Sequence, residues 1–422
     1  MKITKQKGTK DIYFDEIKVW QYIEKNIREI CDSYNLSEIR TPVFEATELF
    51  ARGVGNDTDV VNKEMYTFLD KGNRSITLRP ELTAGVVRAY IENGMSSLIS
   101  PVKLWYMGNM YRYEKMQKGR YREFSQFGVE IFGSESYLAD IETISVSYAL
   151  LKKLNLADKV ELSINSIGCS DCRAEYIKIL KAYLAPRLDE MCDTCKIRYD
   201  KNPLRMLDCK EEKCKEINKD APMITDHLCD DCKANFEDLQ KMLQELNIPY
   251  VIDKRIVRGL DYYNRTVYEY TSKDLGLAVG GGGRYDKLVS ELGGSNTPAV
   301  GFGIGMDRLA ILLKEYNLVN DLNSDVDLYF AVIEKDAYKK AKSIATEFRE
   351  KGYKIDIDIS EKSFKAQLKY ADKINAKYVC IIGEEELKNN TCIIKYMRDS
   401  VQESVEFEAK AIESLLNKGI GE

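Results

Sequence analysis

A chain of 422 residues, 44% hydrophobic and 31% charged, is long for one core and implies two or three soluble domains. Its net charge of −5 argues against a generic nucleic-acid coat, although a local basic face can sit on an acidic protein. No apolar run approaches the roughly 18 residues that span a bilayer, and residues 1–8 lack the apolar core of a secretory signal. No membrane partner and a cytoplasmic location are therefore expected. Eleven cysteines in that compartment read as thiols or metal ligands rather than disulfides. The single histidine, His227, would have to serve any Ser–His–Asp or Cys–His mechanism. It lies in a cysteine-rich stretch beside no evident nucleophile partner, which argues against histidine-based catalysis.

From residue 1 to about 165, helical stretches (20–34, 83–93) alternate with β-rich runs (102–107, 127–132). At 78–84, Glu81 and Thr83 stand at the entry to a helix, where an acid and a hydroxyl suit an N-terminal cap. Residues 105–132 read as a hairpin, with one strand running through Arg112 and Glu114, a basic loop at 115–122 and a return strand. Strand alternation puts Arg112 and Glu114 on one face of the first strand, and Gln126, Gly128 and Glu130 on one face of the return strand. A cation, an amide and two carboxylates then share one space; a solvent-exposed polar face is the alternative.

Residues from about 168 to 240 hold four cysteine pairs: Cys169 and Cys172, Cys192 and Cys195, Cys209 and Cys214, Cys229 and Cys232. A C-x2-C spacing lets two thiolates grip one tetrahedral ion, and eight ligands suffice for two sites of four. Structural zinc is the expectation. Reduced thiols in an idle insertion and an iron–sulfur cluster remain as alternatives.

From 250 to 316 the chain returns to strands and glycine-rich turns. Arg258-Gly-Leu-Asp-Tyr262-Tyr263 precedes a strand at 266–270, placing a fixed positive charge in a recessed wall, as phosphate chemistry beside a polar ligand requires. Gly301, Gly303 and Gly305 recur at period two. They leave one strand face as bare backbone open to a flat ring, with Arg308 starting a helix above it; tight strand–helix packing is the other reading. A polar linker at 316–325 leads to a strand–helix–strand unit, which implies a small, mostly parallel α/β domain.

Taken together, these motifs resemble the class II aminoacyl-tRNA synthetases and, within them, the histidyl-tRNA synthetase family. Residues 41–44 resemble motif 1, the Arg112-x-Glu114 segment motif 2, and 301–309 motif 3, with Asp307 where a glutamate is usual. The 258–263 and 280–286 segments are similar to the two histidine-specific motifs, and 8–12, 53–66 and 118–126 also look like this family. The resemblance implies an α+β catalytic core on a mainly antiparallel sheet (1–325), a cysteine-rich helical insertion (168–245) and a C-terminal α/β anticodon-binding domain (326–422).

It further implies a homodimer that joins L-histidine to tRNA(His) through ATP with Mg2+. Arg258 and Arg112 would be catalytic, and Arg112, Glu114 and Arg308 would bind ATP. Glu81, Leu82, Thr83, Gln126, Glu130, Tyr262 and Tyr263 would bind histidine. Lys362, Lys365 and Lys369 near Phe364 would face the anticodon stem. The rival is a catalytically inactive paralogue that regulates histidine biosynthesis. Such proteins usually lack the C-terminal domain and the Arg258 position, and both are present here. The lone histidine also rules out the two-histidine signature of the other synthetase class.

Overall fold

The structure, a computed structural model, describes residues 3–55, 58, 60–98, 100–319, 326–399 and 401–418. Asn56, Asp57 and Asp59 of the 53–66 motif and residues 320–325 of the expected linker lie outside the described residues. The chain divides into two compact units, Met1–Val319 and Asn320–Glu422.

The first unit is built on an eight-stranded sheet: β1 (Ser37–Glu38), β2 (Val102–Tyr111), β3 (Glu123–Phe132), β4 (Val160–Ser166), β5 (Val251–Ile252), β6 (Asn264–Ser272), β7 (Ala278–Arg284) and β8 (Ala299–Gly305). The order is β1-β2-β3-β8-β7-β6-β4-β5. Its six central strands are antiparallel, and each edge adds one short parallel strand, so the sheet is mixed. The β2–β3 hairpin pairs throughout, from Val102 opposite Phe132 to Tyr111 opposite Glu123.

Alternation then sorts the side chains. Trp105, Phe127 and Phe302 meet edge to face on one side of the sheet. The other side carries almost no side chains along one lane. Gly128 pairs with Gly303, Gly303 with Gly281, and Gly281 with Glu269, while Tyr106 closes the far end opposite Gly128. In the next row Glu130 pairs with Gly301, and Gly301 with Gly283. The result is a trough floored by backbone.

One expectation is corrected at the end of β2. The strand stops at Tyr111, so Arg112 and Glu114 lie beyond it. The Arg112 amide still bonds to the Arg122 carbonyl, but the Tyr113 amide turns away to the carbonyl of Glu64. A partner from another segment ends the ladder there.

The cysteine-rich segment is helical. Its helices Ser170–Leu184, Asp193–Lys201 and Asp230–Glu245 each have a cysteine at the N-cap (Cys169, Cys192, Cys229) and a second in the first turn (Cys172, Cys195, Cys232). That is what C-x2-C does at a helix start: both sulfurs emerge beside the exposed backbone N–H groups, where thiolates are favoured. One apolar cluster runs from this segment (Tyr176, Leu180, Cys195, Met206) into the sheet (Tyr106, Met110, Phe132) and on to Tyr262 and Tyr263.

The second unit has a five-stranded sheet, β9 (Val326–Val332), β10 (Ile355–Ile357), β11 (Ala376–Ile382), β12 (Thr391–Tyr396) and β13 (Gln402–Glu406), in the order β10-β9-β11-β12-β13. The pairs β10–β9 and β9–β11 are parallel, but β11–β12 and β12–β13 are antiparallel. The mostly parallel sheet expected here is therefore half antiparallel, because the hairpin β12–β13, antiparallel within itself, pairs antiparallel with β11 through β12 at one edge. Lys365 and Lys369 lie exposed on the helix Phe364–Lys373, with exposed Lys362 just before it. No helix among the described residues is long and apolar enough to cross a membrane.

Candidate active site

The trough deepens into a cavity of about 230 Å³ lined by Glu81, Thr83, Tyr106, Arg112, Glu114, Gln126, Glu130, Arg258, Tyr262, Tyr263, Glu269 and Arg308, over Gly281, Gly301, Gly303 and Gly305. Of the residues singled out for chemistry outside the cysteine block, Leu82 is absent from this lining. It is buried in the core at the N-cap of the helix Thr83–Glu92.

Two carboxylates define one end. Glu130 is 1% exposed and sits over Gly301, where a Cβ would fall 1.7 Å from its Oε2. Its Oε1 accepts hydrogen bonds from the Thr83 hydroxyl (2.8 Å) and the Tyr106 hydroxyl (3.0 Å), and its Oε2 accepts one from Tyr285. Burial nevertheless pushes the Glu130 carboxyl up to about 8, against the pull of the Tyr285 and Thr83 hydroxyls. Glu81 accepts the Thr83 and Ala84 amides at 2.7 and 2.8 Å, so it caps the helix as expected. It too is raised, first by burial, against those two amide bonds.

Sequence reasoning left Gly301 and Gly303 open to a flat ring. In the structure Glu130 and Gln126 lie over them, with Gln126 Oε1 3.4 Å from where a Gly303 Cβ would be. The glycines admit the acid and the amide of the neighbouring strand, a tighter constraint than an open floor. Likewise Gly128 makes room for Tyr106, whose ring carbon Cζ would stand 2.3 Å from an added Cβ.

Arginines define the rest. Arg258 bonds Glu269 at 2.8 Å, lies over the Tyr263 ring at 5.8 Å, and rests on Gly281, where a Cβ would meet its Nη1 at 2.7 Å. Its Nε is buried without a hydrogen-bond partner. Arg112 donates from Nε to the Pro80 carbonyl at 2.7 Å and approaches Glu114 at 3.9 Å. Arg308 reaches over Gly305 to the carbonyls of Gly119 (3.2 Å) and Ala278 (2.5 Å). Burial and the neighbouring Arg120 lower its pKa, against the pull of Glu114. Asp307 also lines the cavity, but its carboxylate is engaged: it accepts the Ser125 amide at 2.9 Å and pairs with Lys10 at 2.9 Å, tying the amino-terminal segment to β3.

Tyr106, Tyr285 and Glu269 were not singled out from the sequence as binding residues. An aromatic in a strand reads as core, and nothing local marks its hydroxyl as a donor to an acid on another strand. The Arg-Tyr after Gly280–Gly283 was the available signal for Tyr285. His227 is exposed and stands outside the cavity.

The cysteines form two groups, Cys169, Cys172, Cys229 and Cys232, and Cys192, Cys195, Cys209 and Cys214, with all sulfurs in each within 4.8 Å of one another. The second group is nested in sequence within the first. A tetrahedral zinc–thiolate site spaces its sulfurs about 3.8 Å apart, and Cys192 and Cys209 stand at 3.8 Å. Amides of Cys192 and Cys229 donate to the sulfurs of Cys214 and Cys172 at 3.3 and 3.2 Å, the usual support for metal-bound thiolates. Both groups thus fit a four-thiolate ion.

Comparison with known proteins agrees with this architecture. A family model described as histidyl-tRNA synthetase matches residues 8–309, and one described as an anticodon binding domain matches residues 327–417. The histidine–tRNA ligase of Thermoanaerobacter pseudethanolicus is 53% identical over 409 residues, covering 96% of this chain and 97% of that one. That of Acetivibrio thermocellus is 50% identical over 404 residues, covering 95% and 97%. The crystal structure of apo histidyl-tRNA synthetase from S. aureus matches with a TM-score of 0.82 at 36% identity, covering 99% of each chain. Such likeness reaches along the whole length, catalytic sheet and carboxyl-terminal unit alike, and the chain belongs to the histidyl-tRNA synthetase family.

Proposed function

We propose that the buried acids of the cavity hold histidine, that its arginines hold the phosphates of ATP, and that this polarity carries the family's reaction. The enzyme activates L-histidine with ATP to histidyl-adenylate and transfers the histidyl group to the 3′ end of tRNA(His). The observation that carries the assignment of sites is the pair Glu81 and Glu130. Two buried carboxyls held above their ordinary range are expected where the native ligand is cationic or donates hydrogen bonds. Glu81 and Thr83 take the substrate ammonium, while Glu130, Gln126, Tyr262 and Tyr263 surround the imidazole, with Leu82 fixing the helix start behind them.

The histidine carboxylate is ionised at neutral pH, so attack on the α-phosphorus needs no general base. An oxygen–phosphorus bond forms as the bond to diphosphate breaks, and the charge developing on the phosphoryl oxygens must be met by fixed cations. Arg112 and Arg258 supply that charge. Glu114 orients the adenine end, and Arg308 closes over the nucleotide. Magnesium bound to the ATP phosphates would add positive charge beside the leaving diphosphate.

Zinc fits both cysteine groups and would be structural there, since all four positions are protein sulfurs. Motif 1 supports a homodimer: Val43 and Phe44 expose 42% and 56% of their surface, an apolar edge that a second copy can cover. The cytoplasm suits eight thiols held reduced. The intact Arg258 and the matched anticodon-binding unit favour an active ligase over a regulatory paralogue.

The test is histidine-dependent ATP–diphosphate exchange. Arg258→Ala is expected to lower kcat by roughly 10²–10³, with little change in histidine KM. Near-normal exchange in that variant rejects the role.

A further inference from the structure

Residues 253–263, which carry Arg258, Tyr262 and Tyr263, form neither helix nor strand. The catalytic sheet grips the start of this loop through Asn165, whose side chain bonds the carbonyls of Lys254 and Ile256. Beyond Ile256 much of the anchorage comes from the cysteine-rich segment. Arg205 donates to the Arg258 carbonyl at 2.8 Å. Asn202 donates to Asp261 Oδ1 at 2.6 Å. Arg173 donates to the Tyr263 carbonyl at 2.7 Å.

The two arginines come from different cysteine groups. Arg173 directly follows Cys172 on the helix Ser170–Leu184. Arg205 lies in the short helical turn Pro203–Met206 between Cys195 and Cys209, and its own carbonyl is held by Arg198 at 3.1 Å. Arg205 also comes so near the loop that a Cβ on Gly259 would stand 3.2 Å from its Nη1. The glycine beside Arg258 is therefore where this anchor touches.

We infer that Arg173 and Arg205 are positioning residues for histidine activation, each fastening the Arg258 loop to one four-cysteine group. The cysteine-rich segment is then part of the first chemical step, before any tRNA arrives. This rests on Arg258 serving that step. Arg258 rests on bare backbone at Gly281, where Glu269 and the Tyr263 ring hold only the head of its side chain, so the placement of its main chain rests on the loop's own anchors. A displacement of about 1 Å in a positioning group can cost up to 10²-fold in rate.

The experiment is a double-mutant cycle in full-length, metal-replete protein, read by histidine-dependent ATP–diphosphate exchange. Arg205→Met is expected to lower kcat roughly ten- to hundredfold, with a smaller rise in histidine KM and unchanged metal content by mass spectrometry. In the Arg258→Ala background the same substitution should cost kcat much less than in the wild type, while the rise in histidine KM, which acts through Tyr262 and Tyr263 on the same loop, persists. Arg205→Lys should recover part of the rate, since an ammonium still offers one donor to the Arg258 carbonyl. Arg173→Met should behave like Arg205→Met. Hydrogen exchange gives a readout independent of activity: amides at 253–263 should exchange faster in both Met variants and in Arg205→Lys, while those of β6 keep their protection.

Equal losses in the two backgrounds, or wild-type kcat in Arg205→Met, overturn the inference and leave the Arg258 role standing. Normal exchange in Arg258→Ala rejects that role instead. Should Arg205→Met lose its metal, Arg205→Lys decides: native metal with an unaltered loop overturns the inference, and native metal with a looser loop and slower exchange supports it.

Discussion

The catalytic sheet and the cysteine-rich segment hold their working atoms by opposite means. In the sheet, side chains are removed. Gly128, Gly281, Gly301 and Gly303 leave gaps into which Tyr106, Arg258, Glu130 and Gln126 fit with little freedom, and strand register fixes the rest. In the cysteine-rich segment, short helices and turns surround eight sulfurs gathered in two groups. A sheet ladder transmits position through many bonds, so each one matters little. A four-thiolate zinc site would concentrate its hold in one ion, and whatever is tied to it would depend on that ion.

Withdrawing metal should break the second region and spare the first. Freshly purified, reduced protein should carry two zinc ions per chain, and Cys192→Ser with Cys195→Ser should leave one. Each structural ion contributes on the order of 10 kcal/mol to its module, so chelation should free amides at 170–245 while β2, β3 and β8 stay protected in hydrogen exchange. Metal analysis finding neither zinc nor iron removes the contrast.

The sheet breaks at a single methyl group. Gly301→Ala must displace Glu130 or the backbone, because the new Cβ would lie 1.7 Å from the Glu130 carboxylate. We expect histidine affinity to fall by at least tenfold, with ATP binding much less affected, as judged by calorimetry. A variant that binds histidine normally would show that the floor is slack.

The smallest effect sharpens the sheet side. Empty of ligand, Glu130 keeps its proton up to about 8, whereas in the unfolded chain it loses it near the ordinary value of 4.5. Between those values the unfolded state binds fewer protons, so the ligand-free protein loses stability from this group as pH rises, and the loss levels off above 8. Glu130→Gln removes the slope. Denaturant midpoints of the two proteins should nearly coincide close to pH 4.5 and separate towards pH 9, by on the order of 2 kcal/mol in favour of the variant. A gap that is constant with pH would mean that Glu130 is ionised in the empty site.

What could be read from the residues alone follows the same division. The β2–β3 hairpin and the face shared by Gln126, Gly128 and Glu130 follow from strand period. The helix entry at Glu81 follows from cap chemistry. The end of β2 does not, because the Glu64 carbonyl that takes the Tyr113 amide belongs to a distant segment. Nor does the three-hydroxyl cradle of Glu130, which draws Thr83, Tyr106 and Tyr285 from three elements. The cysteine spacing predicts pairs, but which pairs share a group is decided by how the helices meet.

The nesting of those groups orders the way the segment comes together. Cys192 and Cys214, which meet in the inner group, are 22 positions apart, while Cys172 and Cys229 of the outer group are 57 apart. Closing the longer loop from an open chain costs about 0.8 kcal/mol more in chain entropy. An ion bound by the inner group would tie off much of the intervening length and leave the outer ends less freedom to lose. The segment should therefore assemble from the inside outward, with Arg205 in place before Arg173, and the loop that carries Arg258 captured at its upstream anchor first.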